Sequence, residues 1–375
     1  MFSLLRSELF GTDESIEKLS EEELSELYKL SKKHDMAHIV SSALAKRGML
    51  CGEIAAKFQK QQMLAVYRYA RLDYEQKEIC RVLEEAEIAH VLLKGAIIRP
   101  YYKEPWMRTS CDIDVLVREE DIERASAAIA EGLGYRVEEE KHYHDISLFS
   151  ESGVHLELHF NIKEHMDNID VLLEKVWEYC ELADGFKYRF EQTKEYFIFH
   201  HIAHMAYHFI NCGCGVKPFA DLYLLMEKGG YDEDTVRAYC DECGLAKLYD
   251  SVKLLARVWF GTEEHTELSK NMEKFLLDGG AYGTMDNVVT LYSGKNGGKV
   301  RYAFGRIFAP YSHMKEKYPI LEKHKWLLPF MQVRRWLNVL IGGRMKQSVK
   351  KIRDTSKIDN TKSFEVKNLF DEIGL

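Results

Sequence analysis

The sequence predicts an α+β protein in which a small mixed β-sheet is flanked by helical regions on its N-terminal and C-terminal sides. Helical periodicity fills residues 1–87 and returns from residue 167 onward, and a strand-bearing stretch rich in turn residues lies between them. Within that stretch Cys111-Asp-Ile-Asp-Val-Leu-Val117 alternates carboxylate and apolar side chains as a strand with one buried face does. The expected divisions are an N-terminal helical region at 1–87, an α/β core at 88–190, a C-terminal helical domain at 191–356 and a polar, partly free tail at 357–375.

Taken in order, Ser20-Glu-Glu-Glu23 forms a capping box ahead of an amphipathic helix, and a long helix is expected over 55–86. His90-Val-Leu-Leu93 is short, apolar and followed at once by Lys94-Gly95, which reads as a strand ending in a turn. Helices are expected over 96–102 and 119–132, and strands over 135–139, 146–149 and 154–160. Beyond residue 167 the patterns read almost only as helices, over 194–209, 216–228, 233–243, 245–260 and 326–341. Pro310, Pro319 and Pro329 should break the region around them into short helices.

The 375 residues are 46% hydrophobic and 30% charged, the balance of a folded globular protein rather than a disordered one. No signal peptide or membrane span is legible, and the eight cysteines are scattered through regular elements rather than framing short loops, so a reduced, cytoplasmic setting is the expectation. The net charge of −8 is unevenly spread: between Lys299 and Lys357 fifteen lysines and arginines face three acids, a local +12 against −20 elsewhere. Such a field attracts an anionic partner such as RNA, a nucleotide or an acidic lipid surface, or it complements the acidic remainder of the chain itself.

Asp112 and Asp114 project from the same face of their strand. If the strand Val154-His-Leu-Glu-Leu-His-Phe160 pairs nearby, Glu157 joins them, and three clustered anions call for divalent metal. On this reading Asp→Asn at 112 and 114 should disturb folding little, because the carboxylates repel one another without metal. A sheet edge facing water would also explain the two aspartates, but apolar Val115-Leu-Val117 argues that only the strand's end reaches solvent.

The order Leu92-Leu-Lys-Gly95, Arg108-x-x-x-Asp-Ile-Asp114 and Glu157-Leu-His159 resembles the DNA polymerase β-type nucleotidyltransferase superfamily. More narrowly it resembles a group of uncharacterised bacterial nucleotidyltransferases, over roughly residues 88–225. The resemblance implies a nucleotidyltransferase core that uses two Mg2+ ions to move a nucleoside monophosphate from an NTP, ATP included, to a hydroxyl acceptor with release of pyrophosphate. It implies Asp112, Asp114 and Glu157 as metal ligands and catalytic groups, Lys94, Gly95 and Arg108 as the nucleotide site, and Arg99 as a further phosphate cation. His159, His204, His208 and Asp221 would touch substrate or support the site. The superfamily's turn is usually Gly-Ser or Gly-Gly, and here it is Gly95-Ala96, so one hydroxyl contact to phosphate is missing.

The acceptor is open between a small molecule, a tRNA and a protein side chain, and the basic segment 299–357 favours an anionic one. A non-catalytic nucleotide-binding or scaffolding protein that keeps the fold is the alternative. A zinc protein built on His200, His204 and His208 with Cys212, Cys214, Cys240 and Cys243 is the third, and the cysteines read better as buried thiols. The stretch from Trp326 to Leu337 suits an RNA-binding or membrane-surface helix, but its apolar content favours packing into the fold.

Overall fold

The structure is a computed structural model that describes residues 1–12, 14–138, 144–211, 213–280, 308–309, 311, 314–315, 318, 320–341 and 360–375. Four helices lead the chain: α1 (Phe2–Phe10), α2 (Glu21–Lys33), α3 (Ala37–Lys46) and the 34-residue α4 (Gly52–Glu85). The capping box is present at α2, where the Ser20 side chain accepts from Glu23 N–H and the Glu23 carboxylate accepts from Ser20 N–H. Two backbone donors at the helix start are thereby satisfied.

A seven-stranded mixed sheet follows, built from β1 (His90–Leu92), β2 (Asp112–Val117), β3 (Arg136–Val137), β4 (Asp145–Phe149), β5 (His155–His159), β6 (Cys180–Leu182) and β7 (Arg189–Gln192). Their order is β3-β4-β5-β2-β1-β7-β6, with β2–β5 and β1–β7 parallel and the other pairs antiparallel. Helices α5 (Gly95–Ile98), α6 (Ile122–Leu133) and α7 (Asp167–Leu173) lie between strands. After the sheet come α8 (Lys194–Asn211), α9 (Lys217–Lys228), α10 (Glu233–Glu242), α11 (Ala246–Phe260) and α12 (Glu267–Gly279), then α13 (Ile320–Lys323), α14 (Leu328–Ile341) and α15 (Asn360–Ile373).

The two faces of β2 meet different cores. Ile113, Val115 and Val117 pack with Ile79 and Leu83 of α4 and Ile122, Ala125 and Ile129 of α6. Leu116, on the opposite face with Asp112 and Asp114, joins the larger core that includes Phe197 and Ile198 of α8. Central strands buried on both sides are held by apolar burial worth about 1.5–3 kcal/mol per large side chain, so the carboxylates ride on a rigid support.

Four expectations change. The helical pattern beyond residue 167 hides β6 and β7, because strands of three and four half-exposed residues show no clean alternation. The helix over 96–102 is a four-residue α5 followed by a 3-10 turn at Arg99–Tyr101, since Pro100 can donate no backbone hydrogen bond. From Asn360 the tail is helical and packed: in α15 Val366, Leu369, Phe370 and Ile373 are buried, with Phe370 edge-on to Phe275 at 5.6 Å. Their i, i+3, i+4, i+7 spacing is a helical stripe that the polar residues between them obscure.

The fourth change concerns the stretch from Trp326 to Leu337. It is helical, as a 3-10 turn at Lys325–Leu327 leading into α14, but its apolar face is exposed rather than packed. Most of the basic segment 299–357, part of the expected strand at 139 and Cys212 lie outside the described residues.

Candidate active site

Parallel pairing of β2 with β5 sets Asp112 opposite His155, Asp114 opposite Glu157 and Leu116 opposite His159. With a side-chain period of two, this register turns Asp112, Asp114, His155, Glu157 and His159 to one face. Two overlapping donor groups result. One atom each of Asp112, His155 and Glu157 lie within 4.8 Å of one another, as do atoms of Asp114, Glu157 and His159, so Glu157 is common to both. Carboxylate oxygens with imidazole at the border are a donor set that suits divalent cations.

The anions are not equivalent. Asp114 is buried, and its Oδ1 accepts from Lys94 Nζ at 2.9 Å and from His159 Nε2 at 3.0 Å. Burial works to raise its pKa, yet Lys94 and His159 hold the carboxyl far below the usual range. Burial likewise works against the Lys94 ammonium, and Asp114 more than offsets it. For His159 burial lowers the pKa, but the bonds to Asp114 and Glu157 raise it. Among the described residues Asp112 has no such partners: burial, then repulsion from Asp114 and Glu157, pushes its carboxyl up. The Glu157 carboxyl is held down by its bond from His159. The negative charge left uncompensated sits at the Asp112 end of the cluster, and that is where a cation gains most.

Lys94 is aimed by an unusual backbone. Its φ of 45° and ψ of −111° lie in a region non-glycine residues avoid, and conformations of this kind cost about 1–3 kcal/mol unless the surroundings enforce them. Gly95 follows, and a β-carbon there would stand 3.5 Å from Ser110 Cβ and 3.7 Å from Arg108 Nη1. The turn, Ser110 and Arg108 therefore line one small space. Because α5 is only four residues long, little helix dipole is available to an anion, and cationic side chains must carry that task.

Arg108 is brought to the turn, with its charge matched from the far side. Its Nε donates to both oxygens of Asp221 at 2.8 Å, and Tyr102 Oη donates to the same carboxylate at 2.7 Å. Arg99 is buried, with Nη2 donating to Ser110 Oγ and Nη1 to Gln76 at 3.3 Å. The segment feeding β2 is gripped from outside the sheet. Thr109 Oγ1 donates to Asp35 at 2.6 Å, Lys217 Nζ of α9 donates to the same carboxylate at 2.7 Å and to Thr109 O at 3.1 Å, and His38 Nε2 of α3 donates to Met107 O at 2.8 Å.

His204 and His208 belong to a separate chain of half-buried groups. His204 Nδ1 donates to Glu164 at 2.6 Å, which leaves its Nε2 to accept from His208 Nε2 at 3.0 Å. Burial raises the Glu164 carboxyl to about 7 and lowers His208 to about 4. Among the described residues, neither group with metal-ligand geometry contains a cysteine or any of the α8 histidines. Cys214, Cys240 and Cys243 are buried, with burial raising Cys240 to about 12 and Cys243 to about 11.

Sequence reasoning did not single out His155 as a donor, Glu164, or the grip of Asp35 and Lys217 on Thr109. His155 was findable, two residues before Glu157 on the same strand face. Glu164 follows β5 in an aperiodic segment, and Asp35 and Lys217 are 182 residues apart, so neither leaves a local signal.

Comparison with known proteins adds the following. The model of a family described as uncharacterised nucleotidyltransferase matches residues 20–261. No curated protein matches the chain. A solution structure of the antibiotic-resistance factor ANT(2'')-Ia is similar at 15% identity over 46% of this chain and 90% of its own, with a TM-score of 0.34, a likeness too loose to carry an argument.

Proposed function

This chain belongs to the family of uncharacterised nucleotidyltransferases, and we propose that it is a magnesium-dependent enzyme moving a nucleoside monophosphate from an NTP to a hydroxyl acceptor with release of pyrophosphate. The observation that carries the reading is the register of β2 on β5, which gathers Asp112, Asp114 and Glu157 into two donor groups sharing one carboxylate. Asp112, Asp114 and Glu157 would hold two magnesium ions, with His155 and His159 at the edges. Such ions, once bound, would neutralise charge on the triphosphate and polarise its phosphoryl oxygens.

The chain's own residues do the rest. Lys94 is fixed by its backbone and by Asp114, and it presents an ammonium whose side chain is 30% exposed to phosphate oxygens arriving at the Gly95 turn. Arg108 lines that turn while Asp221 fixes its plane, so the guanidinium approaches phosphate in one orientation. Glu157, at the junction of the two donor groups, orients the acceptor hydroxyl and helps it lose its proton. His159 steadies both Asp114 and Glu157 through one nitrogen, 3.0 and 3.5 Å away. The acceptor class is a small molecule, a tRNA or a protein hydroxyl, with the basic segment 299–357 suited to an anionic one.

A second reading, a non-catalytic nucleotide-binding scaffold, is favoured by one observation: Lys94 and His159 already satisfy Asp114 without metal. Calorimetry with the four NTPs and magnesium, together with pyrophosphate release, tests both readings. Metal-dependent binding lost in Asp112→Asn/Asp114→Asn, with pyrophosphate formed by the wild type, supports the enzyme. NTP binding without pyrophosphate release under any acceptor leaves the scaffold. No NTP binding, with the variant indistinguishable from wild type, overturns both.

A further inference from the structure

We infer that α14 and the turn before it dock the protein on an anionic lipid surface. Trp326, Phe330, Val333 and Leu337 are 69%, 63%, 60% and 50% exposed. The spacing of three and four residues puts Phe330, Val333 and Leu337 on one narrow face of α14, a stripe about 10 Å long at 1.5 Å per residue, and Trp326, in the 3-10 turn ahead of the helix, extends it by standing edge-on to Phe330 at 6.4 Å. The opposite side is the one that meets protein, for Gln332 is buried and its Nε2 donates to Ala309 O. An outward apolar stripe with an inward polar residue is the reverse of what a helix folded into a core presents.

Charge selects the occupant. Lys323, Lys325 and Arg334 are exposed around the stripe, and two of them extend over aromatic rings, Lys325 over Tyr311 and Arg334 over Tyr318. The surrounding sequence carries a net +12 between Lys299 and Lys357, whereas the rest of the chain is acidic. A partner must therefore offer an apolar layer and negative charge side by side. A bilayer with anionic headgroups offers both, taking Phe330, Val333 and Leu337 to the acyl boundary, Trp326 at the headgroup level and the cations at phosphate.

RNA would satisfy the cations and stack on the rings, but it leaves Val333 and Leu337 unmatched. A second copy related by a two-fold axis would bury the stripe at the cost of setting like-charged rims against each other. No described helix is long and apolar enough to cross a membrane, so the contact is one of lying on the surface.

Vesicle flotation of the full chain tests this, with phosphatidylcholine vesicles with and without phosphatidylglycerol. The wild type should float with the anionic vesicles, bind the neutral ones about tenfold less or weaker still, and lose binding as salt rises. Phe330→Glu/Leu337→Glu, at exposed positions and checked for an unchanged circular dichroism spectrum and thermal midpoint, should remain in the dense fraction. Wild-type chain that fails to float, or a variant that floats equally well, overturns the inference. A wild-type dimer that the variant converts to monomer reassigns the face to a second copy, and an oligo(U) complex lost in the variant, without flotation, reassigns it to RNA. None of these readouts depends on nucleotide turnover.

Discussion

Asp114 and Glu157 stand directly opposite each other on parallel strands, yet their electrostatic surroundings differ: Asp114 is held between Lys94 and His159, and Glu157 has His159 alone at bonding distance, with His155 Nδ1 3.9 Å away. The acidic cluster is thus asymmetric before any metal enters. The asymmetry argues that Asp→Asn at 112 and at 114 affects folding differently, rather than little at both.

Asp114→Asn should destabilise the metal-free protein by about 2 kcal/mol, discounted for the partial exposure of Lys94, because an ammonium and an imidazolium lose their counter-charge. Asp112→Asn should instead be neutral or stabilising by about 0.5–1 kcal/mol, since it removes a carboxylate repelled by two others. Urea unfolding of the two variants in chelator checks the opposite signs, and equal effects would contradict the asymmetry.

Gly95→Ala should leave stability within about 1 kcal/mol, because its φ is not left-handed and the added carbon meets only ordinary contacts at 3.5 Å and beyond. The methyl group would nonetheless occupy the space between the turn, Ser110 and Arg108. NTP affinity measured by calorimetry should fall at least about tenfold with the thermal midpoint unchanged.

Asp221→Ala should cost about 3 kcal/mol, since it strands the half-buried Arg108 guanidinium and the buried Tyr102 hydroxyl together. Arg108→Met/Asp221→Leu, which removes both charges, should recover much of that stability while NTP binding stays impaired. Failure of the double variant to recover would mean the pair is not the source of the loss.

Acid should unfold the protein from an unusually high pH. Burial lowers His34 and His38 to about 4, so between pH 6.5 and 4 the unfolded chain binds protons that the folded one refuses, and stability falls as pH falls through that window. Each histidine accounts for about 3 kcal/mol once pH 4 is reached. His38→Gln, which can still donate to Met107 O, should flatten the urea midpoint's decline across this range.

Glu164 works in the opposite direction. Its folded carboxyl is raised to about 7, so the folded state keeps a proton between pH 4.5 and 7 that the unfolded chain has released, and stability falls as pH rises through that window. Glu164→Gln should match wild type at pH 5 and exceed it by about 1–3 kcal/mol at pH 8. Thermal midpoints at the two pH values decide it.

What could be read in the sequence was whatever repeats over a few residues. Alternation in Asp-Ile-Asp-Val put the two aspartates on one face, and the run from Val154 to Phe160 showed Glu157 with a histidine on either side. The pairing of those strands was an inference from company, and the parallel register of Asp114 on Glu157 supplies it. The short edge strands β6 and β7 were illegible because three or four residues cannot establish a period. Arg108 lies beside the Gly95 turn, but Asp221, 113 residues away, takes hold of its Nε, and no local pattern records such a bond. The outward stripe of α14 shows the same limit from the other side: periodicity identifies an apolar face without saying what it faces.

The bond from Thr109 to Asp35 and the ammonium of Lys217 that closes over both also set the smallest unit that can be dissected. A chain begun at residue 88 would retain every acid of the cluster, and its sequence would still look like a complete catalytic core. It would lack Asp35 and the His38 donor to Met107, leaving Lys217 without its carboxylate and the segment that feeds Asp112 and Asp114 into the sheet with two of its holds gone. Fragment expression guided by motif boundaries would thus yield a protein with the right residues on a less firmly held strand, and inactivity in such a fragment would say nothing about the chemistry of the whole.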